Sequence, residues 1–164
     1  MRNLFLGAVL LALCAASVAA AEQAFGPVTQ LPLPRFVSVK AEANVRRGPS
    51  TAHRIDWVFQ RRHLPGEVTA EFGHWRRVRD HEGAGGWVHY ALLSGTRYVS
   101  VMGPPATLYR QPNATSDVVA RAETGAIARL GECLPDWCRI RAEGMRGWVR
   151  KDRLWGVGAR ELRD

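Results

Sequence analysis

Trp75-Arg76-Arg77-Val78-Arg79 returns as Trp137-Cys138-Arg139-Ile140-Arg141 at an offset of 62, and Gly86-Trp87-Val88 returns as Gly147-Trp148-Val149 at an offset of 61. The correspondence extends outward on both sides. Leu93 and Leu154 each lie five positions beyond the valine of the second motif, and Asn44-Val45-Arg46-Arg47-Gly48-Pro49 stands against Thr107-Leu108-Tyr109-Arg110-Gln111-Pro112 at an offset of 63. Motifs that recur in the same order with such small drift mark an internal repeat, here two copies of one small unit.

Short apolar-alternating runs divided by Gly, Pro, Asn and Asp turns make each copy all-β. Nothing after Ala21 sustains a helical period. In the first copy strands are expected near 43–46, 54–59, 66–72, 75–79 and 85–89, with a tight turn at 90–93. Residues 97–101 are expected to extend that sheet towards the second copy, whose strands fall near 106–109, 117–121, 126–132, 137–141 and 146–150. Five strands in about 55 residues suit a small, partly open barrel. The expected division is therefore 35–101 for the first barrel, 102–158 for the second and 159–164 for a C-terminal tail. Residues 22–34, Pro-punctuated and aperiodic, are expected as a flexible leader. A unit this small buries only about 60% of its unfolded surface, so packing of the copies or a cross-link is needed to compensate.

The N-terminus assigns the compartment. Met1-Arg2-Asn3, the apolar run Leu4 to Leu13 and the small residues Ala15 to Ala21 form the pattern of a secretory signal peptide over 1–21. The apolar core is shorter than the roughly 20 residues a membrane span needs, so no transmembrane segment is expected in the mature chain. Cleavage is expected between Ala21 and Glu22, with the bond after Ala20 as second choice. A lipoprotein signal at Cys14 is disfavoured by the bulky Leu13 before it. The product is expected in the periplasm or secreted.

Loss of Arg2 with the signal leaves 22 basic residues against 15 acidic ones, a net charge of +7. Lys40 and Lys151 are the only lysines, so the excess is carried by arginine. Such a surface favours anionic partners, an anionic membrane surface or lipopolysaccharide among them, although solubility alone also accounts for it. Small basic barrels also bind nucleic acid, but an exported chain is kept away from it.

Cys14 leaves with the signal, so Cys133 and Cys138 remain, an even pair in an oxidising compartment. Pro135-Asp136 supplies turn chemistry between them, which sets the two cysteines opposite each other at the mouth of a hairpin. A disulfide is expected there, with Gly73 and Arg76 at the matching place in the first copy.

The opening Asn44 to Pro49, the Trp-x-Arg-[Val/Ile]-Arg strand and the Gly-Trp-Val strand together resemble bacterial SH3 domains. The ending Leu154-Trp155-Gly156-Val157 and the Cys133–Cys138 pair resemble exported tandem members of that family. The resemblance covers about residues 35–157. It implies a binding module for cell-wall peptides or envelope-protein segments and brings no catalytic residues, metal or cofactor. Thr107-Leu108-Tyr109 departs from the family opening, which separates the two copies as ligand surfaces.

Strand alternation assigns faces. Val78 and Ile140 point inward, so Trp75, Arg77 and Arg79, and likewise Trp137, Arg139 and Arg141, form an outward stripe in each copy. An indole beside guanidinium groups can hold sugars, planar peptide groups or anions. A barrel-end cover with solvated arginines fits the same pattern. Trp87 and Trp148 are expected in the core or closing the barrel. Tyr90 and Trp155, just after the Gly-Trp-Val strands, fit ligand contact and packing between the copies equally. All of His53, His63, His74, His81 and His89 lie in the first copy, distant in sequence from either cysteine. A Cys-His hydrolase needs a free thiolate beside a histidine. No enzyme is therefore expected; the alternatives to peptide binding are an accessory of a cell-wall hydrolase and an anionic-polymer binder.

Overall fold

The computed structural model describes residues 23–164, so the signal peptide and its cleavage site at Ala21 and Glu22 lie outside the described residues. The first barrel comprises β3 (Arg35–Val39), β4 (Ala43–Arg46), β5 (Ile55–Phe59), β6 (Pro65–Phe72), β7 (Trp75–Arg79), β8 (Gly85–His89) and β9 (Leu93–Ser94), preceded by β1 (Ala24–Phe25) and β2 (Pro32–Leu33). The second comprises β10 (Tyr98–Val101), β11 (Ala106–Tyr109), β12 (Val118–Ala122), β13 (Ile127–Cys133), β14 (Trp137–Ala142), β15 (Met145–Arg150) and β16 (Leu154–Trp155). Strand order is β5-β4-β8-β7-β6-β3-β9 in one sheet and β12-β11-β15-β14-β13-β10-β16 in the other. The two sheets have one topology, as the repeat requires.

The inward valines build separate cores. Val39, Val45, Val68, Val78 and Val88 are fully buried in the first copy; Val99, Val101, Cys138, Ile140 and Val149 are at most 1% exposed in the second. The glycine of Gly-Trp-Val has a steric cause. A Cβ on Gly86 would come within 2.6 Å of the Arg46 carbonyl oxygen, and one on Gly147 within 2.8 Å of Leu108 Cβ. Only glycine lets β8 cross β4, and β15 cross β11, closely enough to close each barrel.

The structure corrects four expectations, the fourth at the hairpin mouth of the first copy. Residues 97–101 do not extend the first sheet: Tyr98–Val101 is the opening strand of the second, paired with β13 and β16. Its counterpart is β3, and Arg35-Phe36-Val37-Ser38-Val39 against Arg97-Tyr98-Val99-Ser100-Val101 is one more element of the repeat. Second, the described part of the leader forms a two-stranded ribbon. Ala24 pairs with Leu33 and Phe25 with Pro32, and the loop between them wraps the carboxylate of Glu71. Third, Trp87 is only half-buried and joins neither core cluster, whereas Trp148 is buried as expected. Register places Trp87 beside Arg77 and Arg46, and Trp148 beside Arg139 and Tyr109, so both indoles stand on the outer face. Trp148 is nevertheless buried there, beneath Arg139, and closes its barrel from outside.

At the hairpin mouths the copies use different cross-links. Cys133 lies opposite Cys138 with Cα atoms 4.1 Å apart, joined by the disulfide. In the first copy the residue opposite Arg76 is Glu71, not Gly73, and its carboxylate lies 3.4 Å from Arg76 Nε. A buried ion pair occupies the place of the covalent bond. The C-terminal segment is also held down: Cys133 and Arg163 exchange backbone hydrogen bonds at 2.7 and 3.1 Å, and Glu161 pairs with Arg97 at 3.0 Å.

The copies meet through β3, β10 and the ends of β6 and β16. His63 stacks on Tyr98 at 4.0 Å, Phe36 meets Trp155 edge-on at 5.2 Å, and Tyr98 N donates to the Ser38 hydroxyl oxygen at 3.2 Å. Burial, with Arg62 nearby, holds the His63 pKa below the usual imidazole value. Gly156 sits in this seam at φ +110°, where an added Cβ would approach the Tyr98 carbonyl oxygen to 2.7 Å and Pro65 Cβ to 3.0 Å. Gly156→Ala should therefore cost on the order of 2 kcal/mol through backbone strain and displacement of the seam. Thermal unfolding checks this. A melting temperature equal to wild type would show that the seam bears no weight.

Candidate functional site

The β6–β7 hairpin turns at Gly73-His74, which sets Phe72 opposite Trp75 and, one strand further, Trp75 opposite His89. Tyr90 follows directly and its N–H donates to the His74 carbonyl at 2.9 Å. Side chains distant in sequence thus gather at one end of the first barrel. The Trp75 ring stands edge-on to His89 at 5.4 Å; His74 and Tyr90 lie 5.6 Å apart, and His89 and Tyr90 5.0 Å apart. Phe72 is 63% exposed and Tyr90 50%, unusual for large apolar groups and hence open to a partner.

Arg76 supports this platform from beneath. It is 7% exposed, and its Nη1 donates at 2.8 Å to the carbonyls of both Gly73 and Trp75, fixing the turn. Its guanidinium carbon lies 6.0 Å from the Tyr90 ring centre. Beside the platform a groove of about 420 Å³ runs between leader, first barrel and seam, bordered by Leu31, Phe36, Val37, Arg76, Tyr90 and Leu93. An aromatic ledge next to a partly apolar groove with buried arginine can stack planar groups and orient an anionic or carbonyl oxygen.

The corresponding face of the second barrel is filled by its own residues. Trp137 meets Tyr109 edge-on at 5.7 Å, and the Arg150 guanidinium covers Trp137 at 5.7 Å. Arg139 lies over Trp148 at 5.8 Å, and Trp148 is only 8% exposed. Tyr109 stands where the first copy has Arg46, whose Nη1 instead donates to the Thr51 and His53 carbonyls and ties down the loop after β4. The departure from the family opening thus converts an open aromatic end into a closed one.

The candidate residues therefore separate. Trp75 and Tyr90 come together, with His74 and His89 between them. Arg77 is exposed on the outer face, and Arg79 is occupied by Glu67 at 2.5 Å. Trp137 and Arg139 are packed on neighbouring rings, whereas Arg141 is exposed, opposite Arg129 and Arg146. Trp155 lies in the seam against Phe36. Sequence reading misses Phe72 and the placement of His74 and His89, although all flank the quoted motifs. Alternation along one strand assigns faces but does not show which residues three strands bring to one end.

Solved structures similar to this chain include three NlpC or NlpC/P60 proteins. They are NlpC2 from Trichomonas vaginalis (12% identity, 74% of this chain and 48% of that one, TM-score 0.34), NlpC1 from the same organism (15%, 90% and 51%, 0.35) and an NlpC/P60 family protein from Bacillus cereus (13%, 73% and 55%, 0.33). This chain spans about half the length of those structures. A comparison with curated proteins returned no match. The model of the bacterial SH3 domain matches twice, at residues 39–95 and 103–156, one match in each barrel and together more than half of the chain. The chain belongs to the bacterial SH3 domain family, with two domains in tandem.

Proposed function

We propose that this is a non-catalytic binding module of the cell envelope, periplasmic or secreted, that recognises a peptide of the cell wall or a segment of an envelope protein. The observation that carries this reading is the aromatic platform of the first domain, with Phe72 and Tyr90 exposed, Trp75 half-buried and Tyr90 also bordering the neighbouring groove. Family membership supports the cell-wall association. A binding role is also supported by the state of the cysteines. Cys133 and Cys138 are joined, and the histidines stand in the other domain, so no thiolate–imidazole pair forms among the described residues. No helix among the described residues is long and apolar enough to cross a membrane.

Stacking on exposed rings contributes roughly 0.5–1.5 kcal/mol per ring beyond area burial, so removing two should weaken binding about tenfold or more. Trp75→Ala/Tyr90→Ala should lose retention on purified sacculi or on the envelope fraction, while its melting curve stays within a few degrees of wild type. Trp137→Ala/Arg139→Ala, on the closed face, should retain binding. Unchanged retention by the first variant would remove the platform from the site; loss only in the second would move recognition to the second domain.

A further inference from the structure

The second domain carries a charge arrangement that its own residues do not neutralise. Arg129 on β13 pairs in register with Arg141 on β14, and Arg141 with Arg146 on β15. Three guanidinium-bearing side chains thus stand in one row across three adjacent strands, about 10 Å from end to end at the usual strand spacing. Arg139 shares their face, two positions along β14, with its guanidinium over Trp148. Like charges directly opposed across strands destabilise a sheet.

The same row in the first domain reads Glu67, Arg79 and Gly85, and there Glu67 and Arg79 form an ion pair at 2.5 Å. The fold therefore does not require an arginine row. Among the described residues the ion pairs of the second domain are Arg97–Glu161, Arg110–Asp117 and Arg150–Asp152, so the four arginines enter none. Glu132 and Asp164 border the same groove of about 430 Å³ without forming an ion pair with any of the four. The groove keeps an excess of positive charge.

A guanidinium presents a rigid fork of donors that matches phosphate oxygens in pairs, and neighbouring forks on adjacent strands can share one tetrahedral anion. A single carboxylate would satisfy one fork and leave the rest of the row repelling itself. A compact, multiply charged phosphate neutralises the row at once. We propose that Arg129, Arg141 and Arg146, with Arg139 beside them, form a binding site for a diphosphate group, either a soluble diphosphate or one displayed as a lipid headgroup. The site lies on the second domain, away from the aromatic platform, and does not depend on the peptide-binding reading.

The test is titration calorimetry of the mature protein with inorganic pyrophosphate and with orthophosphate. Pyrophosphate should bind more tightly than orthophosphate, and its affinity should fall as salt is raised. Loss of two charge-assisted contacts in Arg129→Gln/Arg141→Gln should lower the affinity about tenfold or more. That variant should melt no earlier than wild type, because removal of two charges relieves the row. It should also retain binding to sacculi, which separates failure at this site from failure at the aromatic platform. Arg54→Gln/Arg62→Gln, with the same loss of charge on exposed positions of the first domain, should bind pyrophosphate as wild type does.

Flotation with phosphatidylcholine vesicles, with and without farnesyl diphosphate, distinguishes the sources. Capture by the doped vesicles alone assigns the headgroup; pyrophosphate binding without capture assigns the soluble anion. Either result upholds the site. Absence of pyrophosphate binding, or equal losses in the two arginine double variants, would overturn it.

Discussion

Replacing Glu71 by Gln should free residues 23–34 from the first domain and cost about 3 kcal/mol of stability. The Glu71 side chain is fully buried, and its carboxylate is surrounded by donors. Val28 N–H and Thr29 N–H donate at 3.0 and 2.9 Å, the Thr29 hydroxyl at 2.6 Å and Arg35 Nη2 at 2.6 Å, with Arg76 Nε 3.4 Å away. Burial alone would raise this carboxyl. The Thr29 hydroxyl and N–H, Arg35 and the Val28 N–H outweigh it and hold the pKa down to about 2, from an ordinary 4.5. At about 1.4 kcal/mol per pH unit, that depression corresponds to roughly 3 kcal/mol.

The folded pKa lies below the unfolded one, so the contribution is complete above pH 4.5 and is lost as the pH falls from there towards about 2. Wild type should therefore lose this increment on acidification, whereas Glu71→Gln should lack it at neutral pH and show a flatter acid limb. Glutamine keeps the size but leaves the buried Arg76 and the half-buried Arg35 without a counter-charge, the costly way to break such a pair. Hydrogen exchange at Val28 and Thr29 gives an independent reading. If those amides stay protected and the acid limb is unchanged in the variant, Glu71 does not anchor the leader.

This anchor is not legible in the sequence, and the reason is physical. Residues 22–34 have no apolar period, so every pattern that signals a strand or a helix is missing. What orders 23–34 is the charge of Glu71, remote in sequence, at the hairpin position where the other copy has a cysteine. The central strands are legible because Val78 and Ile140, or Val88 and Val149, alternate with outward-facing neighbours and recur at a fixed offset. The opening strands β3 and β10 are recoverable by the same comparison, Arg-Phe-Val-Ser-Val against Arg-Tyr-Val-Ser-Val. They escape a reading that joins 97–101 to the preceding copy and 35–39 to no strand. The candidate sites are legible only as stripes along single strands. Trp87 and Trp148 invite a core or barrel-closing assignment because an indole beside valine looks buried, and this fails for Trp87 because on a pleated strand the valine's neighbour faces outward. Trp148 owes its burial to Arg139 and Tyr109, which come from other strands. The arginine row needs register, since Arg129, Arg141 and Arg146 come from three strands with no spacing in common.

Removal of the Cys133–Cys138 disulfide should lower the stability of the second domain by about 2 kcal/mol in the chain-entropy treatment of a short loop. The two cysteines are 2% and 0% exposed and belong to the core cluster with Leu130, Ile140 and Val149, so the substituent chosen matters. Cys133→Ala/Cys138→Ala removes the cross-link and leaves an apolar site. Cys133→Ser/Cys138→Ser also buries two hydroxyls, at roughly 1–3 kcal/mol each where no partner is found. The expected order of melting temperature is wild type, then the alanine variant, then the serine variant. Cys133 also exchanges backbone hydrogen bonds with Arg163, so loosening the hairpin mouth should speed amide exchange at Arg163 before the barrel unfolds. In the first domain the Glu71–Arg76 pair holds the equivalent position, so its melting transition should not move if the domains unfold separately. The alternative, in which the hairpin is held by its pairing alone, predicts an alanine variant that melts with wild type under non-reducing conditions. Two free thiols in the native protein would sink the claim as well, because the cross-link would then contribute nothing.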